Sequence, residues 1–342
     1  INPSKFDETW PVAQFDIDTH IQTHSTHKVE GKLNIVNALP GAIGKNRLPI
    51  HRVQATIGGT VDSVNLSSLM IDLGQAGQFL GNAQFSEMKT AVDLKTKNFN
   101  LHGISETLRP THAQGTVSYH CIENKQEIVT DLKENHIQLK ADILKTDDLL
   151  ALKEGLLIAN SGKLSMSGHM NMTDNQDFVL KGNIRHFNFA ALGKLPPSNL
   201  NLILGVSGAL KPEWKADVYF SFDPSTLFNQ PVSGQGKIQI RGKAITDATI
   251  NLALGLNKFT ASGRLGELES QINWALNAPA LGHIGYGIEG ALSGSGTLSG
   301  PLDAMQGKIA LTGQNFKVKD LIGAQDLRIN AEFGTTRSSK IN

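Results

Sequence analysis

The chain has 342 residues, with 32 Lys and Arg against 31 Asp and Glu, so its net charge is only +1. That balance leaves no electrostatic footprint for nucleic acid. No run of about 18 apolar residues offers a membrane-spanning helix. One cysteine, Cys121, excludes an internal disulfide framework.

Charged residues are 18% of the chain, aromatics 6%, and glycines number 34. The apolar content therefore rests on Leu, Ile, Val and Ala, and it recurs every second residue. Period two is the strand period, which puts each set on one face of a sheet. Taken along the chain, the alternation predicts strands in "GKLNIVN" (Leu33, Ile35), "AVDLKTKNFNLHGI" (Val92, Leu94) and "GTVSYHC" (Val117, Tyr119, Cys121). It continues in "EIVTDLKENHIQLKADI" (Ile128, Leu132, Ile137, Leu139, Ile143) and "GKLSMSGHMNM" (Leu164, Met166, Met170). Next come "LNLILGVSG" (Leu202, Leu204), "KADVYFSFD" (Val218, Phe220) and "GKIQIRG" (Ile238, Ile240). "ATINLALGLNKFTASGRLGELESQINWALNAP" carries Ile250, Leu252, Leu254 and Leu256, then Ile272, Trp274 and Leu276. The last are "GSGTLSG" (Leu298), "GKIALTG" (Ile309, Leu311) and "LRINAEF" (Leu327, Ile329).

Turns are expected at Asn124-Lys125, Asp174-Asn175, Gly182-Asn183, Gly255 and Gly263. Helical turns are expected in two places only. "KTDDLLALKEGLLI" has Asp147 or Asp148 as a cap and Gly155 as a stop, and Asp223–Gln230 offers another short turn. No βαβ alternation is present. The segments echo one another without a fixed period, as expected of many antiparallel strands laid side by side.

The inner positions of these strands are apolar but rarely aromatic, and glycines such as Gly168, Gly294 and Gly296 sit among them. The pattern predicts an all-β fold: an elongated, curved antiparallel sheet around a U-shaped groove, the groove left unfilled by its own side chains. Roughly 25 strands about 4.8 Å apart would make a trough on the order of 120 Å long. Exposed apolar area of that extent marks binding. Each CH₂ of a lipid acyl chain laid there gains roughly 0.8 kcal/mol. The expected lining is Leu164, Met166, Met170, Leu202, Leu204, Val218, Phe220, Ile238, Ile240, Ile250, Leu252, Leu254, Ile272, Trp274, Leu276, Leu298, Ile309, Leu311, Leu327 and Ile329.

A family resemblance follows from Pro231 to Phe333. Leu254, Gly255 and Asn257 are followed by Phe259, Ala261 and Gly263, then by Asn277, Ala278 and Pro279, and then by Leu292, Gly294, Gly296, Leu298 and Gly300. These runs resemble the repeat of the TamB family, the inner-membrane subunit of the translocation and assembly module, within the AsmA-like, bridge-like lipid-transfer superfamily. Gly31–Gly59 resembles an upstream repeat, and Met88–Ile158 departs most from the pattern. The resemblance implies a β-taco in the periplasm of Gram-negative bacteria and an inner-membrane anchor. It also implies a TamA-like partner at the outer membrane, reached through a region outside this chain, and a role in phospholipid transport or outer-membrane protein assembly. With Ile1 at its start and "RSSKIN" at its end, the chain reads as one continuous segment, 1–342, cut from the middle or late middle of a longer protein, with the anchor outside it.

Other candidates carry blander readings. His20, His24 and His27 lack a completing ligand at a known spacing and read as outer-face polar positions. "GSGTLSG" has no helix after it to hold an anion. Carboxylates such as Asp217, Asp223, Glu267 and Glu269 read as solvated charges, and Cys121 as a small apolar residue whose neighbour His120 points the other way. No enzyme activity, cofactor or metal is expected. The main rival is a scaffold that templates outer-membrane β-strands by strand addition to an exposed edge. A β-helix lyase or adhesin would need a regular coil period, which is missing.

Overall fold

The computed structural model describes residues 1–7, 10–23, 27–319, 321–334 and 340–341. Among them the secondary structure is all β, interrupted only by single turns of 3₁₀ helix. The chain divides into two compact units, Ile1–Asn160 with Ala190–Leu195, and Ser161–Phe189 with Pro196–Asn342.

The first unit is a meander of ten antiparallel strands. They are β1 (Phe15–Thr23), β2 (Lys28–Asn37), β3 (Arg52–Thr60), β4 (Ser63–Asp72), β5 (Gln78–Ser86), β6 (Lys89–Phe99), β7 (Ala113–Ile122), β8 (Lys125–Glu134), β9 (Ile137–Lys145) and β10 (Leu149–Ala159). Each pairs with the next in chain order.

The second unit continues with β11 (Gly162–Asn171), β12 (Asp177–Phe187), β13 (Ser198–Ala209), β14 (Lys215–Phe222), β15 (Ser225–Leu227), β16 (Gln230–Arg241), β17 (Ala244–Leu254) and β18 (Asn257–Leu265). β19 (Gln271–Ala278), β20 (Ile288–Ser299), β21 (Gln306–Val318), β22 (Ile322–Phe333) and β23 (Lys340–Ile341) complete it. β14 and β15 lie end to end as one interrupted strand, both paired with β13 on one side and β16 on the other.

Both expected helical turns are strands instead. In "KTDDLLALKEGLLI" the sequence runs through β10, with a bulge between Leu152 and Glu154. The bulge adds one residue, Lys153, and so hides the alternation that would have marked a strand. Asp223–Gln230 holds β15 and a two-residue hairpin turn at Phe228 (φ 52°) and Asn229 (φ 60°). Two positive φ values in succession make a type I′ turn, whose twist suits the flanking strands. Gly182-Asn183 and Gly263, expected as turns, lie inside β12 and β18. Leu256, expected to extend the alternation, sits at the exposed tip of the β17–β18 turn.

Strand ends are tied by buried polar side chains. Asn257 at the start of β18 accepts a hydrogen bond from the Ala280 amide (3.0 Å) and donates one to the Ala280 carbonyl (2.8 Å). Asn37 accepts from the amides of Gln14 and Leu39 and donates to the Ile50 carbonyl. Asn201 accepts from the His186 amide and donates to the Pro224 carbonyl. Loop backbone that a sheet ladder cannot pair is satisfied in this way.

Candidate binding face

Cross-strand partners point to the same side of a sheet, so the register assigns each residue to a face. In the second unit one row crosses β11 to β22 through Met166, Gly182, Leu204, Phe220, Gly236, Ile250, Ala261, Trp274, Gly296, Ile309 and Ala331. The next row on that side holds Gly168, Leu180, Val206, Val218, Ile238, Ala248, Gly263, Ile272, Leu298, Gly307 and Phe333. On the other side of the first row, Leu252, Phe259, Leu276, Gly294, Leu311 and Ile329 align. Neither of the two long rows contains a charged or hydrogen-bonding side chain other than the Trp274 indole.

Every residue expected as lining, from Leu164 to Ile329, falls on this apolar face. Their burial is uniform as well. None is buried and none is fully exposed. A sandwich core would seal such residues under a second sheet. Here each is shielded by its neighbours in the sheet but still meets solvent, so the face is packed sideways and left open above.

Glycine explains how a face this apolar stays thin. A Cβ on Gly236 would collide with the Phe220 ring across the strand pair, and one on Gly307 with the Phe333 ring. On Gly296 it would lie 2.7 Å from the Trp274 indole. Large side chains therefore lie flat over glycines on neighbouring strands, an arrangement that also supports the weakened strand at each glycine. The sequence shows the glycines but not their partners, because the pairing needs the register.

The opposite face is polar. One of its rows reads Lys181, Gly205, Tyr219, Lys237, Thr249, Ser262, Asn273, Thr297, Lys308 and Glu332. Two shallow concavities of about 680 and 330 Å³ lie over β19–β22. The larger is bordered by Asn273, Thr297, Lys308 and Glu332 on one row and by Ser295, Ala310 and Asn330 on another. Both rows project to the polar side, and the larger concavity is also lined by Trp274, Gly296, Ile309 and Ala331 of the first apolar row, which alternate with them along the strands.

The first unit has the same two-sidedness, with a small buried cluster of Ala55, Leu69 and Ala83 beneath Leu33, Val53, Leu66, Ile71, Val92 and Leu94. Its polar face over β6–β10 holds an ion network. Lys153 reaches Glu127 (2.5 Å) and Asp142 (3.4 Å), and His120 meets Asp93 (3.2 Å). The hydrogen bond from Lys153 holds the Glu127 carboxyl below its ordinary value, and Glu127 in turn raises Lys153.

Cys121 and His120 do point to opposite faces: Cys121 aligns with Thr90 and Gln126, His120 with Ala91 and Glu127. Tyr119 shares the Cys121 side, where burial, then a hydrogen bond to that thiol, pushes its phenol above the usual range. His20 stands opposite Lys32, and His24 lies outside the described residues. No cluster of His, Cys, Asp or Glu fit to hold a metal occurs among the described residues. The carboxylates Asp217 and Asp223 are ion-paired, with Arg241 and Arg185 respectively.

Residues 112–341 match the family model described as TamB, N-terminal domain. The chain belongs to the TamB family. The match is wider than the segment 231–333 that carries the plainest motifs, and it includes most of the stretch that departs from them. No curated protein and no solved structure matches the chain. TamB membership brings a role in the translocation and assembly module and a TamA-type partner within it, and TamB-family proteins span the periplasm. Among the described residues no helix is long and apolar enough to cross a membrane. The TamB repeat motif also gains a physical reason. Its Asn257 ties the β17–β18 turn to the loop after Asn277, Ala278 and Pro279 through the paired bonds to Ala280.

Proposed function

We propose that this TamB segment is a non-enzymatic periplasmic conduit that carries phospholipids between the inner and outer membranes. Acyl chains lie on the apolar face, and head groups stay on its wet side. The observation that supports this most is the uniform half-burial of the residues from Leu164 to Ile329 on that face. Water left over a continuous apolar surface is replaced favourably by hydrocarbon, at roughly 25 cal/mol for each Å² covered. Because neighbouring rows offer similar apolar contacts, a chain can slide without meeting a tight site. The direction of movement then comes from elsewhere in the module, and the TamA-type partner is met outside this segment.

Strand addition to nascent outer-membrane proteins is the competing reading. Within each unit the strands between the outermost ones are hydrogen-bonded on both sides. A guest strand is therefore limited to an outermost strand such as β1, which pairs on one side only among the described residues, whereas the apolar face extends across the strands of each unit. Native mass spectrometry of the chain purified from cells tests the reading. Bound species with phospholipid masses are expected. A chain that carries only peptide, or nothing, would overturn it.

A further inference from the structure

Among the described residues, the apolar face of the first unit carries a four-strand run of three polar side chains and the Cys121 thiol, flanked by Phe85 on β5 and Leu150 on β10. Thr90 on β6 stands opposite Cys121 on β7, Cys121 opposite Gln126 on β8, and Gln126 opposite Lys145 on β9. The adjacent row, about 7 Å further along the strands, is apolar except for one phenol: Val92, Tyr119, Ile128, Ile143 and Leu152. Lys145 is the one cation that the register places on this face of β1–β10 among the described residues. It is exposed and has no ion-pair partner among the described residues. The strand acids of this region, Asp93, Glu127, Asp131 and Asp142, project to the other face, where they meet His120, Lys153, Lys133 and Lys140; Asp147 and Asp148 lie in the β9–β10 turn, where Asp147 accepts a hydrogen bond from the Asn124 amide. The remaining charge on the apolar side, Glu134, lies at the far end of β8.

We propose that the row Thr90, Cys121, Gln126 and Lys145 is a headgroup track: it holds the phosphate of a phospholipid whose acyl chains lie on the apolar rows beside it. This rests on the conduit reading and adds where and how the polar end is recognised. An unpaired ammonium with no acid on its own row or on the apolar row beside it suits an anionic phosphate ester. The Gln126 amide and the Thr90 hydroxyl supply further donors to its oxygens. The two long apolar rows traced across the second unit hold no such cation, so the headgroup contact belongs to the first unit.

The test measures binding of short-chain phosphatidylglycerol, the matching diacylglycerol without phosphate, and inorganic phosphate to the full 342-residue chain. The variants are Lys145→Glu and Lys145→Met. Lys95→Glu, which faces the polar side opposite Thr116, is the control, and circular dichroism checks the fold of each. Both Lys145 variants should weaken phosphatidylglycerol about tenfold or more, the scale of a lost charge-assisted hydrogen bond, and leave diacylglycerol and the control unchanged. Unchanged phosphatidylglycerol binding in the folded Lys145→Met variant overturns the proposal. So does an equal loss of both lipids, which marks a structural role, or inorganic phosphate binding as tightly as the lipid, which marks a simple ion site. If the unaltered chain binds neither lipid, the conduit reading itself fails.

Discussion

Leu252→Asp is the perturbation that most sharply separates an open conduit from a closed core. Leu252 lies on β17 between Gly234 of β16 and Phe259 of β18, half-buried on the apolar face. Removing it forfeits about half the value of a fully buried leucine, roughly 1 kcal/mol. Solvent reaches this face, so the new carboxylate keeps much of its hydration while the groove is empty. The total cost is small against the roughly 5–15 kcal/mol that stabilises a typical domain, and the fold should survive. An acyl chain that passes the carboxylate must strip its water, at an effective cost of several kcal/mol. About 4 kcal/mol slows passage on the order of a thousandfold. Asn251→Asp puts the same charge one residue away on the polar face, between Gln235 and Thr260. The assay pairs far-UV circular dichroism with phospholipid carried per chain, read by mass spectrometry. Both variants should fold; Leu252→Asp should lose its lipid, and Asn251→Asp should keep it. Equal lipid loading in both folded variants would refute the reasoning.

Three more outcomes follow from the same geometry. Gly236→Ala should displace the Phe220 ring and lower stability by about 1–3 kcal/mol, the usual cost of overpacking; a thermal melt measures it. Asn257→Ala removes both bonds to Ala280 and should cost about 1–2 kcal/mol, seen as a shifted urea midpoint. Glu127 has its folded pKa lowered by Lys153, so its contribution is present above the unfolded carboxylate value and fades as pH falls through the folded one. Lys153, with its folded pKa raised, contributes fully below its unfolded value and loses that contribution as pH rises through the folded one. Glu127→Gln should therefore flatten the acid limb of the stability profile at low salt, with little change in high salt, where exposed pairs are screened.

The apolar face was legible because alternation survives in most strands. Ile272, Trp274 and Leu276 share a side in any unbroken strand, whatever the pairing. Where a bulge adds a residue, the period breaks and the reading fails. Lys153 made β10 look helical, and the shift between Ile245 and Ala248 keeps two residues three apart on one side. Gly182 and Gly263 passed for turns because a glycine's meaning in a strand depends on what lies across from it, here Leu204 and Ile272. The polar row at Lys145 was invisible for the same reason. Its members come from four strands, and only the register joins Thr90 to Lys145.

The central claim is that hydrocarbon occupies the open apolar face. A photo-crosslinking residue at Ile309, illuminated in cells and compared with one at the adjacent polar position Lys308, reads this directly through the mass of the adduct. The account predicts phospholipid adducts at 309 and none at 308. Peptide adducts at 309, or equal lipid capture at both positions, would contradict it.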